Sequence, residues 1–213
     1  MTIISPSLLA CDFLNIENEL KAFDGFSNVW FHLDIMDSHF VPNLTFGHPI
    51  VSLISKKTSI PLDAHFMVTN PEFFIDTFKG YNIHNFTFHY EACENHIELI
   101  KKAKNHYKSV GLSIKPNTSI EVLTKEIVRE LDLILIMSVE PGFGGQSFIE
   151  DTYTKVTKLR AKYPNIEIQV DGGVKDSNAK KLINRGATNL VAGSYIFKDG
   201  PSSYQTKVNS LRS

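Results

Sequence analysis

Short β-branched or aromatic runs alternate with longer amphipathic stretches along the whole chain, and this alternation constrains the fold more than any other feature. Eight strands can be placed: Ile3 to Leu8, Val29 to Ile35, Leu62 to Val68, Asn85 to His89, Val110 to Ile114, Leu133 to Ser138, Ile166 to Val170 and Leu190 to Ala192. The helices between them carry start and stop signals. Asn70-Pro71 begins one, with proline in the first turn, where its missing N–H is no loss. Asn117 to Ser119 precedes a helix predicted over Ile120 to Glu130, and Asp176 or Ser177 opens one over Ala179 to Asn184 that Gly186 ends. Such repeats build either an open doubly wound sheet or a closed barrel. The unusual polar residues gather at the C-terminal ends of the strands, where barrels place their sites, so we expect an α/β protein with a single (β/α)8 TIM barrel domain over residues 1–213. Eight units share 213 residues, about 27 each, close to the minimum for a strand, a helix and two short loops.

Charge excludes several partners. The 22 basic and 23 acidic residues leave a formal charge of −1, so no bulk field draws the chain to nucleic acid or an anionic membrane. The strongest apolar run, Leu131 to Met137, contains Asp132 and is far shorter than the roughly 20 residues that span a bilayer, so it reads as a buried strand. Met1 leads directly into Ile3-Ile4 without the features of a signal peptide. The spacing of Cys11 and Cys93 resembles neither a metal knuckle nor a redox pair. The expectation is a cytoplasmic protein with reduced thiols.

The chemistry concentrates in two segments. In Phe31-His32-Leu33-Asp34-Ile35-Met36, the two-residue period of a strand puts His32, Asp34 and Met36 on one face. The third strand repeats this with Asp63, His65 and Met67. Two imidazoles and at least one carboxylate on neighbouring strand ends can converge on one cation, and Asp171, just after the seventh strand, supplies another carboxylate. Two His and two Asp suit Zn2+ or Fe2+, with Mn2+ or Co2+ as alternatives, better than Mg2+, which prefers oxygen and water. Asp63 can instead orient a neighbouring ligand.

Glycines mark a second feature. Pro141-Gly142-Phe143-Gly144-Gly145-Gln146 follows the sixth strand, Gly172-Gly173 the seventh and Gly193-Ser194 the eighth. Glycine-rich backbone brings N–H groups close to an anion, and this region of a barrel often holds a phosphate. Such a pocket needs no Lys or Arg. Gln146 can close over a ligand or cap a helix beginning near Phe148.

Ser5-Pro6-Ser7-Leu8-Leu9-Ala10, His32-Leu33-Asp34-Ile35-Met36-Asp37, His39-Phe40-Val41-Pro42-Asn43, Asp63-Ala64-His65-Phe66-Met67-Val68, Pro141 to Gln146 and Val170-Asp171-Gly172-Gly173, in this order, resemble the signatures of the ribulose-phosphate 3-epimerase family. The resemblance runs from residue 3 to about residue 197 and implies a barrel of the ribulose-phosphate-binding type. It implies metal ligation by His32, Asp34, His65 and Asp171, and proton exchange by Asp34 and Asp171 at C3 of a 2-ketose phosphate in the pentose phosphate pathway. It further assigns Ser7, His65, Gly142, Phe143, Gly144, Gly145, Asp171, Gly172, Gly173, Gly193 and Ser194 to the substrate, and Met36, Met67 and Met137 to a soft lining over the reacting carbons. Core packing is the competing account of the methionines, and a local turn the competing account of Ser7. A small phosphorylated ketose is the expected partner, and the family is often homo-oligomeric.

Three positions depart from the pattern: Ser38 where glycine is common, Tyr90 where proline is usual, and His48 after Gly47. Two other readings keep much of the same site, namely a 3-epimerase of a hexulose 6-phosphate such as allulose 6-phosphate, and a non-catalytic phosphosugar-binding barrel. An orotidine-type decarboxylase would need an Asp-x-Lys-x-x-Asp run, which is absent.

Overall fold

A computed structural model describes residues 1–212. Among these, eight parallel strands join in the order β1-β8-β7-β6-β5-β4-β3-β2. They are β1 (Ile3–Pro6), β2 (Phe31–Met36), β3 (Leu62–Met67), β4 (Ile83–His89), β5 (Ser109–Ile114), β6 (Leu133–Met137), β7 (Glu167–Asp171) and β8 (Asn189–Ala192). The ring closes between β1 and β2 through two isolated parallel bridges, Ile4 with Val29 and Ser7 with His32, rather than a continuous ladder. Chain closure therefore happens beside the chemistry. In the strand-helix alternation, α1 (Ile16–Lys21), α2 (His48–Lys57), α3 (Pro71–Phe78), α4 (His96–Lys104), α5 (Lys125–Glu130), α6 (Thr152–Lys162), α7 (Asp176–Arg185) and α8 (Ser194–Phe197) follow β1 to β8 in turn, and α9 (Tyr204–Ser210) closes the chain.

The two-residue period sorts each strand. Leu33, Ile35, Ala64, Phe66, Phe86, Phe88, Ile134, Ile136, Ile168 and Val170 belong to the main apolar core between sheet and helices. The opposite faces carry Ser5, His32, Asp63, Asn85, Thr87, Gln169 and Asn189, all fully buried. Such polar burial is stable only when hydrogen bonded. Ser5 donates to Asn189 at 2.7 Å, Ser109 to Asn85 at 2.7 Å, and Asn85 and Gln169 each to Asp63 at 2.6 Å. The barrel interior is thus a polar lattice that fixes the orientation of Asp63.

Local signals explain several helix ends. The Asn70 side chain accepts from the Phe73 N–H, with Pro71 in the first turn. Gly186 ends α7 at φ +112°, a left-handed conformation that costs glycine little. The strand boundaries differ from expectation at β1, which stops at Pro6, and at β2, which starts at Phe31 because Val29 makes only a single bridge. The helix expected over Ile120 to Glu130 is broken. A 3-10 turn, Ile120–Val122, precedes α5, and the Thr124 side chain caps α5 by accepting from the Ile127 N–H. Helix α7 begins at Asp176, three residues before the expected start, where the Asn178 side chain accepts from the Lys175 N–H at 2.9 Å and ties down the first turn.

Candidate active site

Strands β2, β3 and β7 bring His32, Asp34, His65 and Asp171 together, with one ligand atom from each inside a set no wider than 4.8 Å. His32 Nε2 stands 3.4 Å from Asp34 Oδ1 and 3.8 Å from Asp171 Oδ2. His65 Nδ1 is 3.7 Å from both of those oxygens. Donors about 2.0–2.2 Å from one tetrahedral cation lie about 3.3–3.6 Å apart, so these separations fit a shared ion with little adjustment. His32 Nε2 and His65 Nδ1 are also buried nitrogens without a hydrogen-bond partner. Buried polar nitrogens of this kind are costly unless they meet a partner such as a cation. The donor set fits a divalent ion.

The outer partners hold the imidazoles in that pose. Asp63 Oδ2 lies 2.7 Å from His32 Nδ1, so Asp63 orients that imidazole rather than joining the cluster. Burial pushes the Asp63 carboxyl up, but His32 and the Asn85 and Gln169 amides outweigh that and hold it below its usual range. Burial likewise opposes charge on His32, and Asp34 and Asp63 overcome it to raise the imidazole well above its ordinary value. The two cluster carboxylates are driven apart. Asp171 is raised by burial and then by the charge of Asp34, whereas Asp34 is lowered because His32 and His65 prevail over its burial. Of the two carboxyls, Asp171 is therefore the easier to protonate.

Ser7 lies just outside β1, and its hydroxyl donates to Asp34 Oδ2 at 2.5 Å, so it touches the cluster rather than a local turn. Asp34 and Asp171 look out into a cavity of about 1090 Å³. The same cavity is lined by Ser7, Met36, Met67, Met137, Gly142, Phe143, Gly144, Gly145, Gly172, Gly173, Gly193 and Ser194. His32 and His65 sit behind the carboxylates, fully buried. A small core cluster of Met36, Met67 and Val41, flanked by Leu9 and Phe40, forms the apolar wall.

The glycine loops need their glycines. Gly173 has φ +61°, and a Cβ there would stand 2.9 Å from the Phe148 amide nitrogen, so the β7 loop can pass under the β6 loop only without a side chain. Gln146 lines the cavity and does not cap the helix that follows. Its amide donates to the carbonyls of Glu140 (2.6 Å) and Phe143 (2.8 Å), clasping its own loop, and the following helix starts at Thr152 after Asp151. Across the mouth, Asn43 Nδ2 donates to the Gly142 carbonyl at 2.7 Å, tying the β2 loop to the β6 loop.

The departures have physical consequences. Ser38 takes φ +61°, which explains why glycine suits that position, and this left-handed serine stores about 1–2 kcal/mol. Tyr90 lies in a 3-10 turn and stacks on His96 at 4.1 Å between ring centroids. His48 opens α2 and hydrogen bonds to the Tyr81 hydroxyl at 3.0 Å. Sequence reasoning missed His89, whose Nε2 lies 2.9 Å from His65 Nε2, and Asn43. The signal for His89 was its two-residue spacing from Asn85 and Thr87, which puts it on the polar inner face of β4. Cys11 and Cys93 are free thiols, and no helix of the described residues is long and apolar enough to cross a membrane.

The fold is shared with the tryptophan synthase α-subunit of Pyrococcus furiosus, one mutant of which superposes with a TM-score of 0.71 at 18% identity, covering 99% of this chain and 96% of that one. Closer relatives are ribulose-phosphate 3-epimerases. That of Eremothecium gossypii is 42% identical over 206 residues, covering 92% of this chain and 86% of the relative. The cytoplasmic isoform of Oryza sativa subsp. japonica is 42% identical over 197 residues, covering 91% and 86%. The Mycobacterium leprae protein is 35% identical over 214 residues, covering 99% and 93%. The model of the ribulose-phosphate 3 epimerase family matches residues 3–197, the span that holds the cluster, all three glycine loops and the cavity lining apart from Lys198. On these grounds the chain belongs to the ribulose-phosphate 3-epimerase family.

Proposed function

We propose that the protein interconverts D-ribulose 5-phosphate and D-xylulose 5-phosphate by epimerisation at C3, using one divalent cation, Zn2+ or Fe2+ in preference to Mn2+ or Co2+. The observation that carries this reading is the pair of acids. Asp34 from β2 and Asp171 from β7, on strands from separate parts of the ring, both line one cavity. Epimerisation removes a proton alpha to a carbonyl from one face of the sugar and returns one to the other face, so it needs an acid and a base on opposite sides.

For one direction Asp34 takes the C3 proton and Asp171 delivers its own to the opposite face, and the roles reverse for the other direction. Ser7 holds Asp34 Oδ2 and so fixes which oxygen is aimed at the sugar. His32, Asp34, His65 and Asp171 would hold the cation, which would supply Lewis-acid stabilisation to negative charge developing on the sugar oxygens. Met36, Met67 and Met137 line the cavity with polarizable surface, which keeps competing water from the reacting carbons. The backbone of Gly142 to Gly145, Gly172, Gly173 and Gly193, with the Ser194 hydroxyl, binds the phosphate without a bulk positive field.

Exposed Phe13, Leu14, Leu44, Ile50 and Leu53, carried by the segments around α1 and α2, support a homo-oligomer. Free Cys11 and Cys93 support a cytoplasmic location, as does similarity to the relative from Oryza sativa subsp. japonica. The test is turnover of D-ribulose 5-phosphate after chelation and after separate return of each metal, with allulose 6-phosphate in parallel. Metal-restored turnover that favours the pentose supports the proposal. Preference for the hexulose reassigns the substrate, and no turnover by folded, metal-loaded protein leaves a phosphosugar-binding barrel.

A further inference from the structure

We propose that His89 and Glu91 are a positioning pair that sets the tautomer of His65 and thereby the strength of the cation site, an inference that rests on reading His65 as a ligand. His65 Nδ1 faces Asp34 and Asp171 without a hydrogen-bond partner. To coordinate a cation it must present a lone pair there, so the ring proton belongs on Nε2. That atom lies 2.9 Å from His89 Nε2. Two ring nitrogens at this distance hydrogen bond only if one carries a proton and the other a lone pair. His89 Nε2 is therefore bare, and the His89 proton sits on Nδ1, which faces Glu91 Oε2 at 3.3 Å.

Glu91 is itself fixed as an acceptor. Its Oε1 accepts from the Lys115 N–H at 2.8 Å and from the Thr118 hydroxyl. The line from His65 to Glu91 thus has one self-consistent set of protons, each donated away from the cation site. His89 is fully buried, with Phe40 packed at 4.8 Å between ring centroids and Lys115 Nζ over the Phe40 ring, 4.0 Å from its centroid. No water is needed to complete the line. The two imidazoles of the site are consequently unequal, because His32 is backed directly by the Asp63 carboxylate and His65 by a second imidazole.

The test is the long-range 15N–1H spectrum of the histidine rings in zinc-loaded wild-type protein, paired with zinc affinity by chelator competition. We expect His65 protonated on Nε2 and His89 on Nδ1. We expect His89→Phe to weaken zinc binding about 10–100-fold. His89→Gln, which can accept from His65 and donate to Glu91, should restore affinity to within about threefold of wild type. His89 protonated on Nε2, or His89→Phe binding zinc as tightly as wild type, overturns the proposal. If His89→Phe does not fold, the wild-type spectrum decides alone. Wild-type protein whose His32 and His65 resonances ignore zinc would sink the cation reading itself, a failure distinct from the loss of the positioning role.

Discussion

Asp63 Oδ2 accepts from His32 Nδ1 at 2.7 Å, and neither side chain reaches solvent. This contact makes a strand-lining carboxylate the part that aims an imidazole, since it holds the proton on Nδ1 and leaves Nε2 able to take a cation. Asp63→Asn places an amide where Asn85 and Gln169 already donate. The variant should bind zinc about 10–100-fold more weakly and lose about 2–4 kcal/mol of stability. Chelator competition and urea denaturation check both values.

Asp34→Asn and Asp171→Asn remove one acid each while keeping shape. Each should lower turnover by about 10²–10⁴-fold or more, because a missing proton acceptor on either face stops the cycle. Steady-state rates on folded, metal-loaded variants measure this. Full activity in either would remove the two-acid mechanism.

Ser194 starts the short α8 and lines the cavity beside Gly193. Its hydroxyl has no place in the proton transfers, so Ser194→Ala should raise KM for the phosphorylated ketose about 10-fold and leave kcat nearly unchanged. A fall in kcat alone would place Ser194 in the chemical step instead.

Glu91 gives a pH test. Burial would raise its carboxyl, but hydrogen bonds from His89, Thr118 and the Lys115 amide bring it down to about 2 from the ordinary 4.5. A depressed folded value means stability that is present above pH 4.5 and drains as pH falls toward 2. The side chain is 22% exposed, so screening reduces the effect to about 1–2 kcal/mol. Wild-type protein should exceed Glu91→Gln by about that amount at pH 6, with the gap closing by pH 2–3, by urea denaturation of metal-free protein.

The eight strands were legible because a buried parallel strand writes itself as a short β-branched run with breakers on either side, and the cation cluster was legible because His32 with Asp34 and Asp63 with His65 share strand parity. What stayed hidden depends on register between strands. Asp63 and His65 have the same parity, and only the pairing of His32 with Asp63 and of Asp34 with His65 sends one to an outer role and the other to the cluster. The link from His65 to His89 crosses from β3 to β4 and is equally invisible locally. Helix α5 was drawn too long because Ile120 to Glu130 has apolar residues at helical spacing, whereas Thr124 starts a fresh helix by capping Ile127.

The central claim is that the C3 proton leaves to one aspartate and returns from the other. Conversion of D-ribulose 5-phosphate in D2O by metal-loaded protein, followed by NMR of the xylulose 5-phosphate, tests it directly. Two acids that exchange with solvent predict product carrying one deuterium at C3 and none at other carbons. Product that keeps the substrate's own C3 hydrogen would contradict a mechanism with opposed acids.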